Sequence, residues 1–438
     1  MTEIVRVKSA PGLKWVKRDN NIFEARWRCR ADLVEKGYLV KSVKLWSGTG
    51  DPTKEEWDFI ADTCAQLQQE MQVWARGGLP TVNVFNGTIG GLIYCYRNDP
   101  DSKFRKKEDK GGIRYASRVH YDALMSMIDR EHGHKVLADI KGRTVQHWYD
   151  EWSARSLATA HAKIKMLRTL FKFGIAFLED DDCARISTVL REMKFRMPKA
   201  RNEWLTADQA TAIRAKAWEL GRPSIALAQA FQFELMLRQK DVIGEWVPVS
   251  EPGMSDTIDS AGNKWLRGIR FEEINHNFVL SHVTSKRLKK ITVDLKNAPM
   301  VLEELNAKFP GSVRWVEVMQ AGKIVIQIIV DRALLPASGP IIVSEFDKLP
   351  WTAIEFRRWW RICADACGVP PTVRNMDSRA GAITEASDAK ADLEHIRQAA
   401  THSDIAMTQR YSRGSEGKIE IVQLARIAHR NKPRTEKS

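Results

Sequence analysis

The chain has no uninterrupted apolar run near the roughly 18 residues that a membrane span needs, and its first residues, MTEIVRVKSAPG, hold no apolar segment of secretory type. A soluble, intracellular protein with no membrane partner is expected. The six cysteines, Cys29, Cys64, Cys95, Cys183, Cys363 and Cys367, lie far apart except for the last pair, whose four-residue spacing suits one helix face better than a metal knuckle. No further Cys or His pair stands nearby, so free thiols in a reducing compartment and no bound metal or other cofactor are expected. Internal repeats are lacking. So are paired Asp and Glu at a convincing spacing beside a basic surface, which a metal-dependent nuclease would use.

A length of 438 residues exceeds what one compact core organises and predicts two or three domains. The excess of 69 Lys and Arg over 55 Asp and Glu gives a formal charge of +14, which suits a partner covered in phosphates without requiring one.

Residues 1 to about 45 read as strand and turn. Leu13 to Val16 and Ile22 to Trp27 flank the turn-forming Arg18-Asp19-Asn20-Asn21, a hairpin pattern. Arg26, Arg28 and Arg30 alternate with Trp27 and Cys29, which puts three cations on one sheet face. That face suits either a major groove or plain solvent. From Pro52 to Trp74 the residues Trp57, Ile60, Cys64, Leu67, Met71 and Trp74 recur every three or four positions, the stripe of a packing helix. Gly77-Gly78 and Pro80 end it.

The stretch 86–198 reads as all-helical. Its segment KFRKKEDKGGIRYASR carries Lys106, Lys107, Arg114 and Arg118 ahead of a helix that starts near Gly112. In the helix Ala158 to Phe177, Ile164, Leu167, Phe171 and Ile175 form the buried side, and Lys163, Lys165, Arg168 and Lys172 are expected to be exposed. These cations are the candidate phosphate contacts, with ordinary solvated lysines as the other reading. A basic linker, 194–201, leads to Thr206 and Gln209, a capping box. A mostly apolar helix from Ser224 to Leu237 follows, then Arg238-Gln239-Lys240-Asp241. Residues 247–268, rich in Gly, Ser, Pro and Asp, read as a long loop. Extended segments at 277–281 and 291–295 enclose the basic turn SHVTSKRLKK. A helix at 299–308, a strand at 323–330, and helices at 352–367, 378–390, 392–400 and 416–429 complete the chain, with a disordered tail at 430–438.

Chemistry is suggested by five residues taken together. Breaking a phosphodiester while conserving its bond energy calls for a nucleophile that forms a covalent ester, cations around the pentavalent transition state, and an acid for the leaving oxygen. Tyr411, Arg238, Arg379, His402 and a cation of the basic turn, Lys286, Arg287 or Lys289, are of the right types. Singly, each has a plain structural reading: Arg238 as a charge favoured at a helix C-terminus, His402 as a cap, Tyr411 as core.

In order and spacing these residues resemble the tyrosine recombinase (phage integrase) family. The motifs are LMLRQKDVIGEW with Arg238 and Asp241, the basic turn with Lys286, NMDSRAGAITEA with Arg379, and THSDIAMTQRY with His402 and Tyr411. The resemblance spans roughly residues 87–429. It implies a mainly α fold with small β elements: a helical core-binding domain at 86–198, a mixed α/β catalytic domain at 202–429, and a small α+β N-terminal module at 1–80 that is an accessory DNA-binding candidate.

By resemblance, Arg238 and Arg379 hold the scissile phosphate, His402 adds a hydrogen bond, Tyr411 is the nucleophile, Lys286 the acid and Asp241 a supporting residue. Arg287 joins the DNA contacts. The implied partners are double-stranded DNA in a prokaryotic cytoplasm, a tetramer of copies on two DNA sites, and an accessory DNA-bending protein. The family usually has a histidine three residues before the second arginine; here that residue is Met376. The alternatives are a non-catalytic DNA-binding protein derived from an integrase, and DNA relaxation of the type IB topoisomerase kind.

Overall fold

The computed structural model describes residues 8–18, 21–35, 38, 40–75, 85–199, 201–320 and 323–409. The chain divides into two compact units, residues 1–200 and 201–438. The fold is mainly helical with small antiparallel sheets.

The first unit opens with β1 (Leu13–Lys17) and β2 (Phe23–Arg28), paired antiparallel with Leu13 opposite Trp27. A one-turn helix, α1 (Ala31–Glu35), leads to β3 (Ser42–Gly48), which pairs antiparallel with β2. No residue of β3 is deeply buried, so it lacks the strict alternation that marks a strand. Ala25 and Trp27 face the core while Arg26 and Arg28 take the other side. The expected row of three cations is shorter and partly neutralised. Arg26 donates to Glu24 at 2.8 Å, and Arg30 lies beyond the strand, paired with Asp32 at 2.8 Å. Helix α2 (Lys54–Ala75) lays Trp57, Ile60, Cys64, Leu67 and Met71 along its buried side.

Five helices follow: α3 (Ile89–Asn98), α4 (Tyr115–His132), α5 (Gly142–Arg155), α6 (Leu157–Phe177) and α7 (Asp181–Glu192). Side chains cap three of them: Thr88 accepts from the Gly91 N–H, Ser156 from Thr159 and Asp180 from Cys183, each satisfying a donor the helix leaves open. Three expectations for α6 fail, the mildest at Arg168, which is half-buried with its guanidinium donating to the Leu190 carbonyl. Lys163 is buried, its ammonium 2.5 Å from the Glu131 carboxylate and over the Trp152 ring, while Ile175 faces solvent. Periodicity cannot separate these cases, because a lysine can enter a core when an acid on a neighbouring helix meets it.

The second unit begins with α8 (Ala207–Glu219), whose Thr206 and Gln209 make the capping box. Helix α9 (Pro223–Glu234) is buried on all sides from Ser224 to Phe233 and forms the centre of the core. After α10 (Gln239–Ile243), the stretch 247–268 read as a long loop holds the end of one strand, β4 (Glu245–Pro248), and the whole of another, β5 (Asn263–Leu266). They pair with Trp246 opposite Trp265. Trp265 is buried and donates to the Ile243 carbonyl, and this anchor overrides the turn-like composition before it.

Strands β6 (Val279–Val283) and β7 (Lys290–Asp294) carry the basic turn between them. Helix α11 (Pro299–Lys308) precedes a hairpin of β8 (Val313–Gln320) and β9 (Lys323–Val330); only the second strand was foreseen. The described chain ends with α12 (Ala353–Ala366), α13 (Asp377–Asp388), α14 (Leu393–Ala399) and α15 (Ile405–Gln409). The helix expected at 416–429 and the tail at 430–438 lie outside the described residues. Among the described residues no helix is long and apolar enough to cross a membrane, and all six cysteines are free thiols.

Candidate active site

Arg238 sits at the N-cap of α10, four residues after α9 ends, with its backbone N–H donated to Asp241 Oδ2 at 3.3 Å. Its guanidinium lies 3.9 Å from the same carboxylate and reaches Thr401 Oγ1 at 3.4 Å. Asp241 is wholly buried, and its other oxygen accepts the Ser285 N–H at 2.6 Å. One carboxylate thereby ties the arginine's helix to the basic turn. The turn itself is closed by bonds from the Thr284 N–H and hydroxyl to the Lys289 carbonyl, at 2.9 and 3.1 Å. Lys286 and Arg287 project from it, exposed.

Arg379, on the first turn of α13, is buried, and its guanidinium donates to the carbonyls of Met236 and Ala400. Met236 lies two residues beyond α9 and Thr401 follows Ala400, and both adopt left-handed backbone conformations, φ 50° and 52°. For a β-branched residue such as Thr401 that conformation costs on the order of 1–3 kcal/mol. The bend turns His402 inward, where it is 3% exposed with Nδ1 3.0 Å from Thr408 Oγ1 on α15. Burial first, then the charges of Arg379, Arg238 and Arg397, push the His402 pKa down to about 4, so the imidazole is neutral at pH 7. Arg397 secures the segment by donating to the His402 carbonyl at 2.9 Å.

Arg238, Arg379 and His402 are thus brought together, with the Lys286 turn fastened to the same cluster through Asp241. Tyr411 lies outside the described residues, which end at Gln409. Met376, one turn before Arg379, is 60% exposed and makes no cap hydrogen bond.

Sequence reasoning missed what supports the cluster. Gln229 and Gln232, on otherwise apolar α9, bind across the core: Gln229 Oε1 accepts from Trp360 at 2.7 Å and from Ser378 at 3.2 Å, and Gln232 Oε1 accepts from Asn375 at 2.8 Å. Two glutamines three apart inside an apolar run were the available signal, since buried amides need partners. The start of α13 is also pinned, with Arg201 donating to Asp377 at 2.6 Å. Gly381 lies so close to the chain before α8 that a β-carbon there would fall 1.8 Å from the Leu205 carbonyl oxygen. Nothing in the sequence marks the carbonyls of Met236 and Ala400 as arginine acceptors.

The candidate DNA contacts of the first unit stand differently from one another. Lys165 and Lys172 project into solvent from α6, and Lys107 is exposed. Lys106 pairs with Asp101 at 2.9 Å and Arg114 with Glu108 at 2.8 Å. Arg118 donates to the Ile113 carbonyl at 3.5 Å, and Arg168 to that of Leu190 at 2.8 Å. Among the described residues no group of three or more His, Cys, Asp or Glu side chains gathers to hold a metal ion.

No family model matches the chain, and no curated protein matches it. Among solved structures it is similar to the lambda integrase tetramer bound to a Holliday junction, at TM-score 0.52 and 14% identity over 92% of this chain and 95% of that one. It is also similar to a lambda integrase dimer bound to a COC' core site, at TM-score 0.50 and 16% identity over 93% of this chain and 97% of that one. A third likeness is to lambda integrase residues 75–356 bound to DNA, at TM-score 0.50 and 13% identity over 75% and 97%. The chain has the tyrosine recombinase fold.

Proposed function

We propose that the chain is a site-specific DNA recombinase that cleaves and rejoins DNA through a 3'-phosphotyrosine, integrating or excising a mobile element without a metal cofactor. The observation that carries this reading is the convergence of Arg238, Arg379 and His402 on one place, with the Lys286 turn anchored beside it by Asp241. Arg238 and Arg379 hold the non-bridging oxygens of the scissile phosphate. Neutral His402, with Nδ1 held against the Thr408 hydroxyl, offers an Nε2–H hydrogen bond to the same phosphate in the tautomer that carries its proton there. Tyr411 attacks in line, its phenolic proton passing to solvent, and the phosphodiester bond to the 5'-oxygen breaks as the tyrosyl ester forms. Lys286 gives that oxygen its proton, and a 5'-hydroxyl from a partner strand later reverses the step.

In this reading residues 86–198 are the core-binding domain, 202–429 the catalytic domain and 1–80 an accessory DNA-binding module. The solved relatives are a dimer and a tetramer on DNA, which supports assembly of four copies on two sites here.

The test captures the ester. The chain is incubated with fragmented genomic duplex, denatured, and the DNA-bound protein digested for mass spectrometry. A nucleotide adduct on Tyr411 that vanishes in Tyr411→Phe, with duplex retention unchanged, supports the reading. Duplex retention without any adduct favours the non-catalytic binder, and site-independent relaxation of supercoiled plasmid favours the topoisomerase.

A further inference from the structure

The β8–β9 hairpin supplies no residue to the cluster around Arg238. One face carries Trp315, Met319, Ile324 and Ile326, which are 43%, 71%, 66% and 63% exposed, while Ile328 and Val330 at its base pack on the core. A two-stranded hairpin is marginal in water on its own, and an exposed apolar patch of this kind marks a contact surface. Helix α11 packs beside β8, whereas among the described strands β9 pairs with β8 alone. No charge interrupts β9 between Lys323 and the Asp331 that follows it, so the edge lacks the device by which strands usually resist pairing.

The ladder fixes which partner strand fits. Asp331 donates its N–H to the Ser312 carbonyl at 2.8 Å, so Lys323, Val325, Gln327 and Ile329 turn their backbone groups toward β8. Ile324, Ile326, Ile328 and Val330 then turn theirs outward. An antiparallel copy of β9 bonds only where outward-facing residues meet, which restricts the register to steps of two. One such register places Gln327 opposite itself on a two-fold axis, Ile326 opposite Ile328 and Ile324 opposite Val330. It also brings Lys323 against Asp331 of the second copy at both ends.

We propose that β9 is a protomer–protomer contact, in which two copies of this chain pair edge to edge in that register and join their hairpins into one four-stranded sheet. The strip is small. Eight residues at ~3.4 Å give ~27 Å of length, and at ~10 Å width the buried face is ~270 Å² per copy. A stable interface needs ~800 Å² per partner. The pairing therefore holds only when something else brings two copies close, and a shared DNA molecule does so by raising the effective concentration; this second part rests on the recombinase reading, and the pairing itself does not.

The test is disulfide capture under mild oxidation in the full chain. Opposed residues of a non-hydrogen-bonded antiparallel pair sit ~4.5 Å apart at Cα, within disulfide reach. Gln327→Cys is expected to give at least tenfold more covalent dimer than the unsubstituted chain at high protein concentration. Val325→Cys alone should stay at background, and an equal mixture of Val325→Cys with Ile329→Cys should cross-link. All three side chains are exposed, and a thermal melt of each variant checks that it folds. A background yield for Gln327→Cys both with and without a random-sequence duplex of about 60 base pairs overturns the proposal, as does equal yield from Val325→Cys alone. Cross-linking that the duplex fails to raise supports the pairing and counts against assembly on DNA.

Discussion

The buried carboxylate of Asp241 accepts the Ser285 backbone N–H at 2.6 Å, which joins the helix that begins at Arg238 to the turn that presents Lys286. The position of the lysine is therefore set by a residue that need touch no substrate.

Asp241→Asn tests that arrangement. The amide keeps one acceptor oxygen and loses the charge that strengthens both bonds, so stability should fall by about 1–3 kcal/mol in chemical denaturation. The tyrosyl adduct should form more slowly while duplex retention stays within twofold.

Gly381→Ala addresses the close approach of α13 to the chain before α8. The new methyl would lie 1.8 Å from the Leu205 carbonyl oxygen, and backbone cannot yield as a side chain can. A loss at the top of the overpacking range, about 3 kcal/mol, is expected in a thermal melt, against about 0.4–1 kcal/mol gained for Gly to Ala at an open helix position.

His402 gives the stability a pH dependence whose sign follows from its lowered pKa of about 4. In the unfolded chain the ring binds a proton below its ordinary value near 6.5, whereas the folded chain resists until about 4. Stability is thus whole above pH 6.5 and falls between 6.5 and 4, by up to about 1.4 kcal/mol per pH unit for this group. His132, held down to about 4 chiefly by burial, adds the same trend in the first unit. Denaturation of His402→Gln across this range should show a fall that is shallower by the His402 part.

Met376→His examines the missing histidine. The residue is 60% exposed, so the exchange should cost little stability. A base or hydrogen-bond donor one turn from Arg379 should speed adduct formation about tenfold or more at pH 7, read in a single-turnover gel assay. An unchanged rate would place the proton acceptor elsewhere.

How much of this was legible follows from what each signal depends on. The stripe of α2 and the capping box at Thr206 are local, and periodicity and propensity suffice to place them. The fold class was reached through the order of the arginines, lysine, histidine and tyrosine, a pattern specific because it extends over 173 positions from Arg238 to Tyr411, the difference of their numbers. Lys163 could not be read, since its burial depends on Glu131 thirty-two residues away. β5 was hidden for a similar reason: Trp265 holds it in place from the core, while the flanking Gly and Ser suggest loop. The left-handed bend at Thr401 left no trace, because the position that calls for glycine holds threonine.

The bond between Thr408 and His402 gives the ring a second use. Helix α15 cannot shift without withdrawing that hydroxyl, and its described part reaches Gln409, two positions before Tyr411 in the sequence. The state of the imidazole therefore reports whether α15 is seated against it. Nitrogen resonances from a histidine-labelled sample would show the ring's tautomer and its titration change together when α15 leaves, in the intact protein and with no DNA in the tube.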